Sequence, residues 1–290
     1  MIRLAVISGK GGTGKTVITA ALAHLLPRSL VLADCDVDAA NLPILLAPKL
    51  IRREPFFGMK AAVIDPSLCT RCGQCQEHCR FHAVAANGGD YTVNPLRCEG
   101  CGVCVHVCPA GAIRMGPRIC GEICLSKAAV GNLAHGKLRP GAGNSGLLVH
   151  AVKKTALEED RGSDLFLVDG PPGTGCPLMS TVTGMDAVLV VTEPSVSGLH
   201  DLKRVVKVAR QFTGRIFMAI NRFDLDDSLT RAIEHWCGGE GIMVIGKIPF
   251  DPAVIEAVRN CAPVTRLSSF PAAQEIQRLA AILDQEIGVR

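Results

Sequence analysis

Short apolar runs alternate along this chain with stretches whose apolar residues recur at helical spacing. Leu4–Ile7, Leu30–Ala33, Leu165–Val168, Ala187–Val191, Ile216–Ile220 and Ile242–Ile245 are continuous apolar runs a few residues long. Such runs are the pattern of strands buried on both faces of a parallel sheet. Each ends in polar residues or glycine: the Gly9 loop, Asp34, Asp169, Thr192-Glu193-Pro194, Asn221 and Gly246. A helix-compatible stretch follows each run. The alternation predicts an α/β fold, a doubly wound and mostly parallel sheet with helices on both faces and ligands at the carboxyl ends of the strands. Thr16–Leu26 reads as the first helix, stopped by Pro27. The segment Ala272–Arg290 carries a helical stripe of Ile276, Leu279, Ala280, Leu283 and Ile287. Its polar positions hold Glu275, Asp284 and Glu286 against Arg278 and Arg290, so the stripe is expected to pack on the sheet and not on a membrane surface.

Between about Pro55 and Pro117 this periodicity fades, and cysteines, glycines and short turns take over. The flanks resume the α/β pattern. The expected organisation is therefore a discontinuous main domain, residues 1–54 and 118–290, interrupted by an inserted domain of residues 55–117. The glycine-rich segment from Arg118 to Ser145 reads as the return connection. A chain of 290 residues has room for this: one large domain carrying a smaller one. Net charge is +4, too mild to make nucleic acid or an anionic membrane the main partner. Mean hydropathy is +0.28, yet no uncharged apolar stretch reaches the ~18–20 residues of a membrane span. The start, Met1-Ile-Arg-Leu-Ala-Val-Ile-Ser, runs straight into a glycine loop without an export signal, which makes a cytoplasmic location the expectation. Fourteen cysteines in a reducing compartment then point to metal or redox chemistry and not to disulfides.

The glycine loop is Gly9-Lys10-Gly11-Gly12-Thr13-Gly14-Lys15-Thr16, a complete match to G-x-x-x-x-G-K-[ST] between a predicted strand and a predicted helix. Backbone N–H groups of such a loop curl around phosphate oxygens, and the helix N-terminus adds positive potential. Lys15 is expected to reach the β- and γ-phosphates of ATP, and the Thr16 hydroxyl to ligate Mg²⁺. Aspartates after the apolar strands, Asp34, Asp36 and Asp169, put carboxylates where Mg²⁺ and phosphate sit. For Asp34 a helix cap is the competing reading.

Eight cysteines fall in two runs: Cys69, Cys72, Cys75 and Cys79, then Cys98, Cys101, Cys104 and Cys108-Pro109. Three thiolates at a step of three wrap one iron–sulfur cubane, and the fourth cysteine of each run ligates the other cluster. One [4Fe–4S] cluster is thus expected on Cys69, Cys72, Cys75 and Cys108. The other falls to Cys98, Cys101, Cys104 and Cys79. Zinc competes poorly, because zinc sites take two close pairs without a third cysteine at the same step. Cys79 departs from the pattern only in being followed by Arg80 in place of proline.

Lys10-Gly-Gly-Thr-Gly-Lys15-Thr16, Asp34-Cys-Asp36, Asp169-Gly-Pro-Pro-Gly173, Asn221-Arg222 and Ile248-Pro-Phe-Asp251 resemble, in order, the signatures of the MinD/ParA/nitrogenase-iron-protein ATPases. With the cysteine block, nearly the whole chain resembles MinD-superfamily P-loop ATPases carrying an inserted two-cluster ferredoxin domain. The resemblance implies a Mg²⁺-dependent ATPase in which Lys10 crosses a dimer interface to the partner's nucleotide. It further implies that Asp36 orients the attacking water, Asp34 supports the Mg²⁺ shell, and Asp169 and Gly173 form the Walker B end and second switch. Asn221 is implied to contact adenine, and Pro249 and Asp251 to lie in the loop over the base. The implied function couples ATP/ADP state to electron transfer or metal–sulfur cluster assembly on a partner protein. The alternative is a positioning ATPase whose clusters are structural or redox-sensing. Either works as an ATP-promoted homodimer, or a heterodimer with a paralogue.

Six cysteines lie outside the two runs. Cys35, Cys237 and Cys261 read as small buried or incidental residues. Cys176 follows Asp169 on the second switch, and two readings stand. It packs under the Pro-Pro-Gly turn, or it forms a third, labile metal site, alone or with Cys120 and Cys124.

Overall fold

The computed structural model describes residues 1–267 and 269–288. Its strands, in chain order, are β1 (Ile2–Ser8), β2 (Leu30–Asp34), β3 (Lys49–Phe57), β4 (Ala61–Ile64), β5 (Val84–Asn87), β6 (Asp90–Val93) and β7 (Ile113–Gly116). They continue with β8 (Ile119–Ala128), β9 (Gly131–Leu138), β10 (Leu165–Pro172), β11 (Ala187–Thr192), β12 (Ile216–Asn221) and β13 (Met243–Ile248). The helices are α1 (Lys15–Leu25), α2 (Leu42–Leu46), α3 (Gln74–Glu77), α4 (Val103–His106) and α5 (Ser145–Glu158). After these come α6 (Cys176–Val182), α7 (Val196–Ala209), α8 (Asp227–Gly239), α9 (Pro252–Arg259) and α10 (Pro271–Gly288). The chain divides into two compact units: Met1–Arg53 with Ile123–Lys137 and Ser145–Arg290, and Glu54–Glu122 with Leu138–Asn144.

The large sheet has the order β13-β12-β11-β1-β10-β2-β9-β8-β3. Pairing is parallel from β13 through to β9. β1 lies between β10 and β11, so the loop leaving its carboxyl end opens at a point where the order of connection reverses, the place where such sheets bind ligands. The apolar runs are buried, apart from Met243 and Val244 on the edge strand β13, and Leu4, Val6, Leu32, Leu167 and Leu189 meet Ile18 and Leu22 of α1 and Ile276, Leu279 and Leu283 of α10 in one core. Each such side chain contributes roughly 1.5–3 kcal/mol when fully buried. The whole α10 stripe is in that core, as its charge pattern predicts. Among the described residues no helix is long and apolar enough to cross a membrane.

Two features correct the sequence expectation. The segment from Arg118 to Ser145 is not merely a connection, since most of it forms β8 and β9, which extend the sheet beyond β2. Cys120, Cys124, Ser126, Ala128 and Ala134 occupy its buried positions, and these small residues mask the alternation that Val or Ile would reveal. The unit boundary also differs from residues 55 and 117. The second unit keeps residues 118–122 and 138–144, because Arg139 N–H donates to the Cys120 carbonyl at 2.8 Å and Gly58 N–H to the Arg118 carbonyl at 3.1 Å.

Inside the second unit, β4 pairs with β7 and β5 with β6, both antiparallel. Its core is Ala61, Ala62, Ala83, Val84 and Ile113 together with Cys75 and Cys98, and Cys79, Cys104 and Cys108 pack against it.

Candidate nucleotide site and thiol quartets

The P-loop takes its shape from two close approaches. A Cβ on Gly9 would stand 2.6 Å from the Asp201 carbonyl carbon. At Gly14 the backbone is left-handed, φ +89°, and a Cβ would meet the Asn221 amide at 2.3 Å. Only glycine fits either place. At Gly11 and Gly12, by contrast, nothing among the described residues lies within 4 Å of a Cβ position, and the same holds for Gly173. Gly11 and Gly12 face a cleft of about 410 Å³ lined by residues 11–16 with Asp36, Asn41, Pro172 and Arg222. The Thr13 hydroxyl is buried there without a hydrogen-bond partner among the described residues. An open glycine cradle, an orphaned hydroxyl and the N-terminus of α1 fit a phosphate chain.

Beneath the loop, Asp169 collects three donors. Lys15 Nζ lies 2.9 Å from Oδ1, the Thr19 hydroxyl donates to Oδ1 at 2.8 Å and the Thr16 hydroxyl to Oδ2 at 2.7 Å. Burial alone would lower the pKa of Lys15, but the charges of Asp169, Asp34 and Asp36 outweigh it and hold the ammonium above its ordinary range. Asp34 faces Asp169 in the β2–β10 register. Its burial, reinforced by the Asp169 charge, pushes its carboxyl well up. Asp34 accepts from Asp36 N–H and from Leu42 N–H, both at 3.0 Å, so it also braces the start of α2. Asp36 lines the cleft, and burial raises its carboxyl too. Lys10 points back into its own chain, 2.8 Å from Glu193 Oε1 and bonded to the Ser195 and Ser197 hydroxyls at 2.8 and 3.0 Å.

A second cleft of about 240 Å³ adjoins Gly14 and Asn221, with Pro249, Phe250, Val254 and Val258 in its wall, a slot fit for a flat base. Two of the expected site residues, Asp251 and Asn221, are bonded within the chain here. Both oxygens of Asp251 are committed to backbone, Oδ1 to Ala253 N–H at 2.9 Å and Oδ2 to Ala272 N–H at 3.2 Å. Asp251 is a helix cap in the slot wall. The Asn221 amide donates to the Thr13 carbonyl at 2.8 Å, bracing the P-loop from behind. Arg222, missed by the sequence reading as a site residue, lines both clefts and pairs with Glu193 at 3.0 Å, so Glu193 joins Lys10 and Arg222. Its left-handed φ of 54° is not legible from an arginine in a row of letters.

In the second unit the two cysteine runs repeat one backbone path. Left-handed residues recur at matching steps, Arg71 with Gly100, Gly73 with Gly102 and His82 with Gly111. Ala83 N–H donates to Cys79 Sγ and Ala112 N–H to Cys108 Sγ, each at 3.3 Å. Cys79, Cys98, Cys101 and Cys104 line one cavity, closed by apolar Ala62, Val84, Val93 and Met115. Cys69, Cys72, Cys75 and Cys108 lie in the same unit. Thiols around a void, with N–H groups aimed at sulfur, fit a polynuclear cluster.

The three further thiols lie on two elements. Cys120 and Cys124 are buried along β8, and Cys176 is exposed at the first position of α6. Among the described residues no three His, Cys, Asp or Glu side chains converge as one metal ion requires.

Parallel sheet, phosphate cradle and buried lysine–aspartate pair together define a P-loop nucleotide-binding protein. The chain belongs to the CobQ/CobB/MinD/ParA nucleotide-binding domain family, whose profile matches residues 4–264. An uncharacterised protein of Methanocaldococcus jannaschii is 35% identical over 225 residues, 77% of this chain and 78% of that one. An iron-sulfur cluster carrier protein of Pyrococcus horikoshii is 23% identical over 298 residues, covering 96% of this chain and 84% of its own. The fold matches the septum site-determining protein MinD of Pyrococcus horikoshii, solved with Mg-ADP, at a TM-score of 0.57 and 18% identity over 99% of this chain and 98% of that one.

Proposed function

We propose that this chain is a Mg²⁺-dependent ATPase with two [4Fe–4S] clusters, coupling its nucleotide state to electron transfer or cluster assembly on a partner protein. The observation that carries the reading is the joint presence, in one chain, of the Lys15–Asp169 phosphate cradle and two cysteine runs built on a repeated path. The carrier-protein relative and the Mg-ADP-bound MinD neighbour support its two halves separately.

Bound Mg²⁺ neutralises phosphate charge, and the clusters supply one-electron chemistry. The chain's own residues do the rest. N–H groups of residues 11–16 and Lys15 hold the phosphates. Thr16, Asp169 and Asp34 hold the metal shell, which requires Thr16 and Lys15 to release Asp169 from its present bonds. Asp36 orients water toward the terminal phosphate. Lys10, freed from Glu193, reaches a partner copy's nucleotide, which makes the active form a dimer. Cys69, Cys72, Cys75 and Cys108 hold one cluster, and Cys98, Cys101, Cys104 and Cys79 the other.

Along the chain the second unit is first entered within β3, downstream of Asp34 and Asp36, left within β8, re-entered at Leu138, and finally left just before α5, upstream of Asp169. The whole excursion thus lies between the Asp34–Asp36 segment and Asp169. Anaerobically purified protein is expected to hold about eight iron per chain and to hydrolyse ATP only with Mg²⁺. Stoichiometric zinc with no iron would refute the cluster half, and absence of hydrolysis the other.

A further inference from the structure

Lys153 is a buried cation that the nucleotide site does not use. It projects from α5 and is 8% exposed. Its ammonium donates to three backbone carbonyls, Ser180 at 2.8 Å, Thr181 at 2.7 Å and Thr183 at 2.8 Å. These carbonyls close the last turn of α6, where a helix leaves its C=O groups without internal partners. An ammonium has three protons, and all three are spent here, placing a positive charge at the negative end of the helix. The same charge is within electrostatic reach of the buried Cys35 thiol, which lies between Asp34 and Asp36.

The other end of α6 is held differently. Its first residue, Cys176, is exposed and rests on Gly146, where a Cβ would stand 3.3 Å from that of Cys176. Gly146 offers no side chain to interlock with Cys176, and its carbonyl accepts from the Ser180 hydroxyl at 2.9 Å, toward the C-terminal end of α6. The preceding loop contains Gly173, with φ +87° and open space around it, and Gly175. That loop runs directly from Asp169 at the phosphate cradle. One end of α6 is thus anchored by charge, and the other follows a glycine loop that leaves β10 at Pro172, a residue of the cleft wall.

We propose that Lys153 is a positioning residue for hydrolysis: it pins the C-terminal end of α6, so that nucleotide-driven movement of residues 173–175 swings the start of the helix and carries Cys176 with it. Without the pin, the same loop movement shifts the helix bodily and the swing is lost. The proposal rests on the ATPase reading above and adds the device that turns phosphate binding into movement of one exposed helix end.

Hydrogen exchange on the unmodified full chain, with and without Mg-ATP, tests it directly. Residues 173–179 should change exchange rate by about tenfold or more while residues 180–183 stay within about twofold. In parallel, Lys153→Met should bind a fluorescent ATP analogue within about twofold of the parent affinity yet lose about tenfold or more in kcat, and Lys153→Arg should recover most of that loss. Residues 180–183 responding as strongly as 173–179, or Lys153→Met hydrolysing at the parent rate, would overturn the proposal alone. An unmodified protein that neither hydrolyses ATP nor changes its exchange with Mg-ATP would overturn the ATPase reading and this proposal together. If Lys153→Met does not fold, the exchange pattern of the unmodified chain and the Lys153→Arg rate decide the question.

Discussion

At Asp169 one carboxylate accepts from Lys15, Thr16 and Thr19 at once, all presented by the first turns of α1. The arrangement stores the phosphate-binding lysine in a buried, charged and fully paired state, and a phosphate chain with Mg²⁺ offers both partners a replacement. Lys15→Ala removes the cation and leaves Asp169 and Asp34 facing each other in the interior, so ATP affinity should fall by about a hundredfold or more. Equilibrium binding of a fluorescent ATP analogue checks this. Lys10 is bound only at the rim of the site, by Glu193 and two hydroxyls. Lys10→Ala should therefore leave ATP affinity within about twofold and, on the proposed role of Lys10 in a partner copy's site, abolish hydrolysis. Light scattering with ATP on an Asp36→Ala protein should show the dimer mass.

Among the elements, α9 shows a residue of the proposed base slot that also serves architecture. Asp251 caps α9 and reaches across to the start of α10. Asp251→Ala should cost about 1–2 kcal/mol of folding stability in a denaturant titration, while the affinity for ATP stays unchanged. The sequence spelled out the parallel strands, α1 and α10, because continuous apolar runs and a helical stripe are strong periodic signals. The P-loop and both cysteine runs were equally legible, since their chemistry depends on residue type at fixed spacing. β8 and β9 were not, because Cys120, Cys124, Ser126 and Ala134 fill buried strand positions with small residues that look like loop. β3 escaped for the opposite reason: it is an edge strand, exposed everywhere but Phe56, and carries Lys49, Arg52 and Arg53. Nor could letters show that Asn221 turns inward to Thr13, or that Asp251 is spent on two N–H groups, since both depend on where α10 and the P-loop come to lie.

For the whole molecule, the two units have unequal means of staying folded. The first has a continuous core under a long parallel sheet. The second has a few alanines, one valine and one isoleucine, with cysteines making up much of the remainder. So small an apolar core needs another source of stability, which the proposed clusters would supply by linking ligation to folding. Removing iron with a chelator should unfold residues 54–122 while the sheet unit keeps its α/β circular dichroism and its ATP binding. Protection in hydrogen exchange, lost in the second unit and kept in α1 and β10, checks that outcome.

The coupling of nucleotide to clusters is the central claim, and the rate at which a chelator takes iron from the anaerobic protein reads it most directly. Mg-ATP should change that rate by about tenfold or more relative to nucleotide-free protein, with no such change in Lys15→Ala. An identical rate with and without Mg-ATP, in protein shown to bind and hydrolyse it, would contradict the account.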